Sequence, residues 1–285
     1  MPGLTPEQIE ARRHSIGASD VATILGVNPW GKVGDLWLEK TGGVDLADVR
    51  KETKATQWGK ILEDPILDMA EVELGYALPD RQVEFRLDSL HLVAHLDAWD
   101  SAALRPVEAK SSGLDGHGNL WGEEGTDEVP EHVLIQVHAQ MMATGSSEAL
   151  VVALLGGFGG IRIGFFPVKR NDGLVKVITE ACIRFWQAVE SGVCPPDGDF
   201  SAPYLQARKR ETGWMRTDLP VELIDDLQIW EQHYKSAEQE RDRAKAKAII
   251  ALGGAEGATF GDGRALTYYP DKRGRRSLRG KPFGI

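Results

Sequence analysis

The chain has 285 residues, 42% of them hydrophobic, and a formal net charge of −10. That length suits one large domain or a domain with an appendage. With no apolar run of bilayer-spanning length, and no basic-then-apolar leader at its start, the sequence reads as a soluble intracellular protein with no membrane partner.

Residues 6 to 12 predict a short helix. Ser19 is the expected N-cap of a second helix, SDVATILG, which Gly26 stops. Asn28-Pro29-Trp30-Gly31 predicts a turn, and residues 33 to 41 a helix. Over 57 to 75, Ile61, Leu62, Ile66, Leu67, Met69 and Ala70 recur at helical spacing, with Pro65 expected to kink the helix or start a new turn. Three strands follow, at 82–88, 91–99 and 104–110, and then a loop over 111–128 rich in Gly, Ser and acidic residues. Pro130 opens a helix that runs through Thr144 and ends at Gly145. ALVVALLGG (149–157) predicts a buried strand paired with 161–168, and 171–190 a helix.

Residues 192 to 213 read as a connector. A charged helix over 220–252 carries Leu223, Leu227, Trp230, Tyr234 and Ala237 as a stripe, and 258–269 reads as a hairpin turning at Gly261-Asp262-Gly263. From Arg264 to Lys281 there are seven Lys or Arg and one acid, Asp271. This stretch is either a solvated tail or a basic lining for an anionic partner, and a local basic surface is compatible with the acidic total. Cys182 and Cys194 match neither a CxxC zinc site nor a disulfide scaffold, and read as reduced thiols. The element order predicts an α/β core with a mixed sheet flanked by helices.

The residues that carry chemistry are Asp97, Glu108 and Lys110. They lie in neighbouring predicted strands, HLVAHLDAWD and LRPVEAK. Residues i and i+2 of a strand share a face, so Glu108 and Lys110 project together. Two carboxylates at a strand end make a hard oxygen site for Mg²⁺ or Mn²⁺, and an adjacent ammonium can orient water and steady an oxyanion. This is equipment for metal-assisted phosphodiester hydrolysis. Taken alone, Asp97 would read as a turn residue and Glu108–Lys110 as a surface pair on an edge strand. Glu63 alone would be a solvated helix residue, and Gln136 a packed helix residue. Trp30 and Trp121 have rings that can stack on bases, although a Trp more often anchors a loop or core. His91 and His95 share a strand face and read as a solvated or packed pair.

Five motifs in order change that balance: R-x3-IGASD (Arg12 to Asp20), WGKILED (58–64), HLDAW, VEAK and IQVHAQM (135–141). With them the chain resembles the lambda-exonuclease family, specifically the YqaJ-type phage recombination nucleases of the PD-(D/E)XK superfamily, over roughly residues 8 to 190. The resemblance implies a restriction-endonuclease-like nuclease core over 1–195. A C-terminal extension over 196–285 would hold the connector, charged helix, hairpin and basic tail. It further implies that Asp97, Glu108, Glu63 and the carbonyl of Ala109 hold Mg²⁺, with Mn²⁺ as a substitute. Lys110 would act on the attacking water and Gln136 would support the site. Arg12 and Ser19, with Ser111, His138 and Gln140, would contact DNA or its phosphates. Ser19 at a helix start suits that role, because such amides favour anions.

The implied activity is a 5′→3′ exonuclease on double-stranded DNA ends in the cytoplasm of a bacterial or phage-infected cell. The implied partners are a phage single-strand annealing protein and copies of the chain itself, as a trimer. Departures from the pattern are Leu96 and Ala98 beside Asp97, neither of which removes a ligand, and His138 at the second Gln of the Q-x-Q motif. A structure-specific or nicking endonuclease on the same core, and a non-catalytic DNA-binding scaffold, are the competing readings. A Cas4-type nuclease is disfavoured, because two cysteines cannot supply the four ligands of an iron–sulfur cluster.

Overall fold

In the computed structural model the described residues are 6–49, 53–112, 121–157, 160–196, 198–208, 221–259, 265–270 and 276–281. The chain forms two compact units, Met1–Arg210 and Glu211–Ile285. In chain order the first contains α1 (Pro6–Arg13), β1 (Ile16–Gly17), α2 (Asp20–Ile24), α3 (Val33–Lys40), α4 (Leu46–Val49) and α5 (Lys54–Leu74). Then come β2 (Asp80–Leu87), β3 (Leu92–Asp100), β4 (Arg105–Ser112), α6 (Glu131–Thr144), β5 (Glu148–Gly157), β6 (Gly160–Lys169), α7 (Asp172–Ser191) and α8 (Ala202–Ala207).

The sheet of this unit is mixed, with β3–β4 and β5–β6 antiparallel and β4–β5 parallel. Strand β3 is its pivot. Along one edge it pairs with β2, Leu87 opposite Leu92 and Arg81 opposite Ala98. Its other edge is shared: β1 pairs at Leu92 and Val93, and β4 at Ala98 to Asp100. Between Val93 and Ala98 that second edge has no strand partner among the described residues, and Asp97 sits there.

The two faces of the sheet carry separate cores. On one, Ile66, Leu67 and Ala70 of α5 pack on Val107, Leu150 and Val152. On the other, Val133, Val137 and Met141 of α6 pack on Val151, Ala153, Phe166 and Val168. Strand alternation therefore turns Val107 and Ala109 toward α5 and Glu108 toward α6. The expected helical stripe on α5 is corrected in part. Ile61 and Met69 are exposed, and the buried stripe is Ile66, Leu67 and Ala70, with Leu62 and Leu74 at its margin. The helix also runs unbroken through Pro65 and starts at Lys54, where Thr53 caps it by accepting the Thr56 N–H at 3.1 Å. Helix α6 follows Pro130 and ends at Gly145, whose φ of 74° is the left-handed conformation glycine supplies at such ends.

The first unit reaches past the expected boundary at 195, because the connector packs on α3. Asp35 accepts the Ser201 N–H at 2.9 Å, Asp199 accepts the Gly34 N–H at 3.0 Å through its carbonyl, and Tyr204 donates to Glu39. The second unit contains α9 (Val221–Leu252) and an antiparallel sheet of β7 (Gly257–Thr259), β8 (Ala265–Pro270) and β9 (Arg276–Lys281). Part of the expected basic tail is thus a strand, paired from Arg276 with Pro270 to Lys281 with Ala265. Arg264, residues 271–275 and the turn expected at 261–263 lie outside the described residues, as do residues 113–120 of the expected loop. Among the described residues no helix is long and apolar enough to cross a membrane.

Candidate active site

The site begins where the sheet opens. The β3–β4 ladder ends at Ala98–Val107, so the Ala109 N–H has no strand partner on β3. It donates instead to Asp97 Oδ2 at 2.8 Å. Asp97 sits at a second irregularity. Arg81 pairs with Ala98 and Val83 with Leu96, but Gln82, opposite Asp97, leaves the ladder with a φ of 54°. The side-chain alternation slips at the same point: Leu92, Ala94 and Leu96 belong to the core shared with α2 and α7, whereas Ala98 belongs to the α5 core. Breaks of this kind re-aim side chains beside functional sites. Here the freed Gln82 amide donates to Glu63 of α5.

Glu108 is almost fully buried, 3% exposed, and every visible partner of its carboxylate is a donor. Oε1 accepts Lys110 Nζ at 2.5 Å and Gln136 Nε2 at 2.6 Å, and Oε2 accepts Gln140 Nε2 at 2.5 Å. Gln136 also accepts from Lys110 at 3.1 Å through Oε1. Lys110 and Gln136 thus form a closed triangle with Glu108. A buried carboxylate is stable only with such pairing.

Charge at the site is unbalanced. Burial, and then the Glu108 carboxylate, push the Asp97 carboxyl well above the ordinary range. Burial and Glu108 also raise Glu63. For Lys110, burial works against the charge, but Glu108 and Asp97 outweigh it and hold the ammonium above its usual value. A divalent cation would relieve the repulsion among these carboxylates. Asp97 and Glu108 supply the hard oxygen donors that Mg²⁺ or Mn²⁺ takes. Among the described residues, no group of three or more His, Cys, Asp or Glu is arranged to hold a metal. Glu63 therefore joins the site electrostatically, its carboxylate bound to Gln82 rather than converged with the other two.

The remaining expected residues fall into two places. Ser19 and Ser111 line a pocket of about 390 Å³ together with Lys110, Gln136, Trp30 and His132. Arg12 is directed elsewhere: its guanidinium donates to Asp20 at 3.2 Å. Asp20 also accepts from Lys40 Nζ and from the Gly17 N–H, at 2.9 and 3.0 Å, and Lys40 donates to the Arg12 carbonyl at 2.9 Å. Ser19 has no side-chain capping bond on α2, which corrects the expected cap, and the Gly17 N–H is held by Asp20 instead.

His138 and Gln140 need a correction of role. Both are buried, His138 at 1% and Gln140 at 0% exposure, and neither side chain is at a surface where a DNA phosphate could reach. Gln140 holds Glu108; His138 bonds the Leu134 carbonyl through Nδ1 and accepts the Asn171 N–H through Nε2 at 3.1 Å, tying α6 to the start of α7. Gln82, Asp20, Lys40 and His132 had no role from the sequence. Asp20 stood inside a motif, but Gln82 carried no signal at all.

Residues 8–147 match the family described as the YqaJ-like viral recombinase domain. Over that span the chain resembles a YqaJ-like viral recombinase domain. That span takes in every residue of the site, from Arg12 to Gln140. The chain is also 30% identical over 214 residues to the uncharacterized protein YqaJ of Bacillus subtilis (strain 168). The alignment covers 72% of this chain and 64% of that protein, so the chain spans slightly less than two thirds of its relative's length. Among solved structures, LHK-Exo in complex with dAMP aligns with a TM-score of 0.49 at 17% identity, over 66% of this chain and 94% of the other. LHK-Exo is an alkaline exonuclease from Laribacter hongkongensis. A phage-related exonuclease from Haemophilus somnus 129PT aligns with a TM-score of 0.48 at 16% identity, over 62% of this chain and 96% of the other. Both identities are low and both scores lie below 0.5. The match ends at Ser147, so β5, β6 and α7, which complete the sheet and its cover, lie beyond the matched span.

Proposed function

We propose that this chain is a divalent-metal-dependent deoxyribonuclease of phage-type recombination, a 5′→3′ exonuclease on linear double-stranded DNA. One observation carries the reading: Glu108 and Lys110 lie on one face of β4 within a Gln136–Gln140 clamp, across an opened ladder from Asp97. The YqaJ-like domain supports the placement in recombination.

In this mechanism Asp97 and Glu108 would hold Mg²⁺, with Mn²⁺ as a substitute, the Ala109 carbonyl would add an oxygen donor, and Glu63 would assist through its charge. Bound metal supplies Lewis acidity and lowers the pKa of a coordinated water. The chain's own groups do the rest. The Ala109 N–H fixes Asp97 Oδ2 and with it the carboxylate. Gln136 and Gln140 fix both oxygens of Glu108, so that no rotamer search precedes the reaction. Lys110 places positive charge where the attacked phosphate gains negative charge. Ser19 and Ser111 offer hydroxyl donors at the pocket wall to the phosphate of the bound strand. Arg12 acts one step back, by fixing Asp20 and with it the loop that presents Ser19.

The products would be mononucleotides and a 3′ single-stranded overhang, substrate for a phage single-strand annealing protein. A ring of three copies facing basic residues inward would reconcile the charge of −10 with a DNA partner. Solution mass at working concentration tests the trimer, and a monomer would remove it. The activity is tested by a time course on linear duplex labelled separately at each 5′ and 3′ end, beside a closed circle and a Lys110→Ala variant. Early loss of 5′ label with an intact circle is expected. Cutting of the circle would make the protein an endonuclease, and binding without cutting would make it a DNA-binding scaffold.

A further inference from the structure

The pocket beside Lys110 has walls that phosphodiester hydrolysis does not require. Trp30 stands in it with 74% of its surface exposed, on the turn that follows α2. A single exposed ring is ordinary on a protein surface, but this one borders the pocket that holds Lys110. The ring is not on a loose loop. Asn28 donates to Thr23 Oγ1 at 2.8 Å, and its own Oδ1 accepts the Trp30 N–H at 3.0 Å. At Gly31 a Cβ would come within 2.6 Å of Thr23 Oγ1, so the turn lies close against α2. His132, in the first turn of α6, meets Trp30 edge-on, with ring centroids 5.1 Å apart and planes at 86°. The perpendicular contact sets the Trp30 plane, and with 74% of the residue exposed most of its ring remains open to a ligand. A second ring, Trp121, also lines the pocket, and its centroid lies 5.1 Å from that of Phe166.

The volume of about 390 Å³ falls in the range of small-ligand sites, and a nucleotide has a flat apolar part joined to an anionic one. The pocket matches that division, with aromatic rings in its lining and Lys110, Ser19 and Ser111 for the phosphate. We propose that this pocket seats a nucleobase on the face of Trp30, with the Trp30 plane held by His132, while the phosphate of the same nucleotide lies at Lys110. The inference rests on the nuclease reading above and deepens it: Trp30 becomes a positioning residue that sets which phosphodiester reaches the reacting groups. Stacking on a ring face is tolerant of sequence, because every base has a π-face, so the seat predicts no strong base preference.

The test is a binding cycle with the full chain, using Ca²⁺ in place of Mg²⁺. Duplex probes have one end closed by a dye-labelled hairpin loop and one blunt end. In one probe the blunt end is complete. In two others the 5′-terminal or the 3′-terminal nucleotide lacks its base. Anisotropy gives the affinities of wild type, Trp30→Ala and Trp30→Phe. Wild type should prefer the complete end to one of the abasic ends by about tenfold, the size base–aromatic stacking gives. Trp30→Ala should erase that preference and Trp30→Phe should keep it. Equal affinity of wild type for all three ends, or a preference that survives in Trp30→Ala, overturns the seat while leaving the nuclease reading in place. Failure of every probe to bind overturns the nuclease reading, and the seat with it.

Discussion

Asp97 accepts the backbone N–H of Ala109 at 2.8 Å, a bond that replaces the next rung of the β3–β4 ladder. The site exists because two strands part at that rung. Asp97 is thereby fixed in place by the partner strand's backbone while its position on β3 is freed from pairing with β1 and β4. Replacement by Asn keeps the shape and a carbonyl acceptor but removes the charge. Asp97→Asn should therefore fold normally and lose cleavage. A variant that kept full activity would remove Asp97 from the chemistry.

Lys110 carries the largest expected effect among the non-carboxylate groups. Among the described residues its ammonium hydrogen-bonds Glu108 and Gln136, and Gln136 and Gln140 still hold Glu108 without it. Lys110→Ala should lower kcat by roughly 10²–10³-fold, the range for losing one preorganised stabiliser of developing charge, with a smaller loss of DNA affinity from the phosphate contact. Single-turnover rates at saturating enzyme separate the two. A loss confined to affinity would make Lys110 a phosphate anchor only.

Gln140 is expected to matter for stability as well as activity. It is fully buried and donates to Glu108 Oε2, so Gln140→Leu leaves a buried carboxylate oxygen without that donor. The cost should be about 1–3 kcal/mol, seen as a lower midpoint in urea, with reduced cleavage at temperatures where the variant is folded. Unchanged stability would mean that water replaces the amide.

Much of this was legible from residues alone. The alternation in VEAK placed Glu108 and Lys110 together, and Pro130 and Gly145 marked the ends of α6. The slip at Gln82–Asp97 was not legible, because a broken ladder follows from how three strands compete for β3 and not from local propensity. Nor was the Arg12–Asp20–Lys40 cluster, whose members lie up to 28 residues apart and meet only in the fold. The inward turn of His138 and Gln140 did have a signal. Val133, Ile135, Val137, Ala139, Met141 and Met142 make α6 apolar on several faces, and a helix of that kind is buried, its polar residues included.

Lys40 tests that cluster. Its side chain is 1% exposed and it bridges Asp20 and the Arg12 carbonyl. Removing one partner of a buried ion pair costs more than the pair contributes, because the other charge stays buried. Lys40→Met should destabilise the protein by roughly 3–5 kcal/mol. Arg12 remains beside Asp20 and should soften the loss toward the lower end. A thermal shift close to zero would show that Arg12 alone neutralises Asp20.

The raised Asp97 carboxyl gives a pH signature with a definite sign. Its pKa is higher in the folded chain than in the unfolded one, chiefly through burial and then through Glu108. The folded state therefore binds more protons between those two values, and stability falls as pH rises through that window. Metal-free protein should lose stability as pH climbs above the ordinary Asp range until Asp97 is ionised, and Asp97→Asn should flatten that slope. Mg²⁺ competes with the proton for the same oxygens, so added Mg²⁺ should raise the melting temperature more at high pH than at low pH. EDTA should abolish both this shift and DNA cleavage. Melting curves across pH, with Mg²⁺ and with EDTA, check the sign. A Mg²⁺ shift that is independent of pH, or that survives in Asp97→Asn, would place the cation away from Asp97.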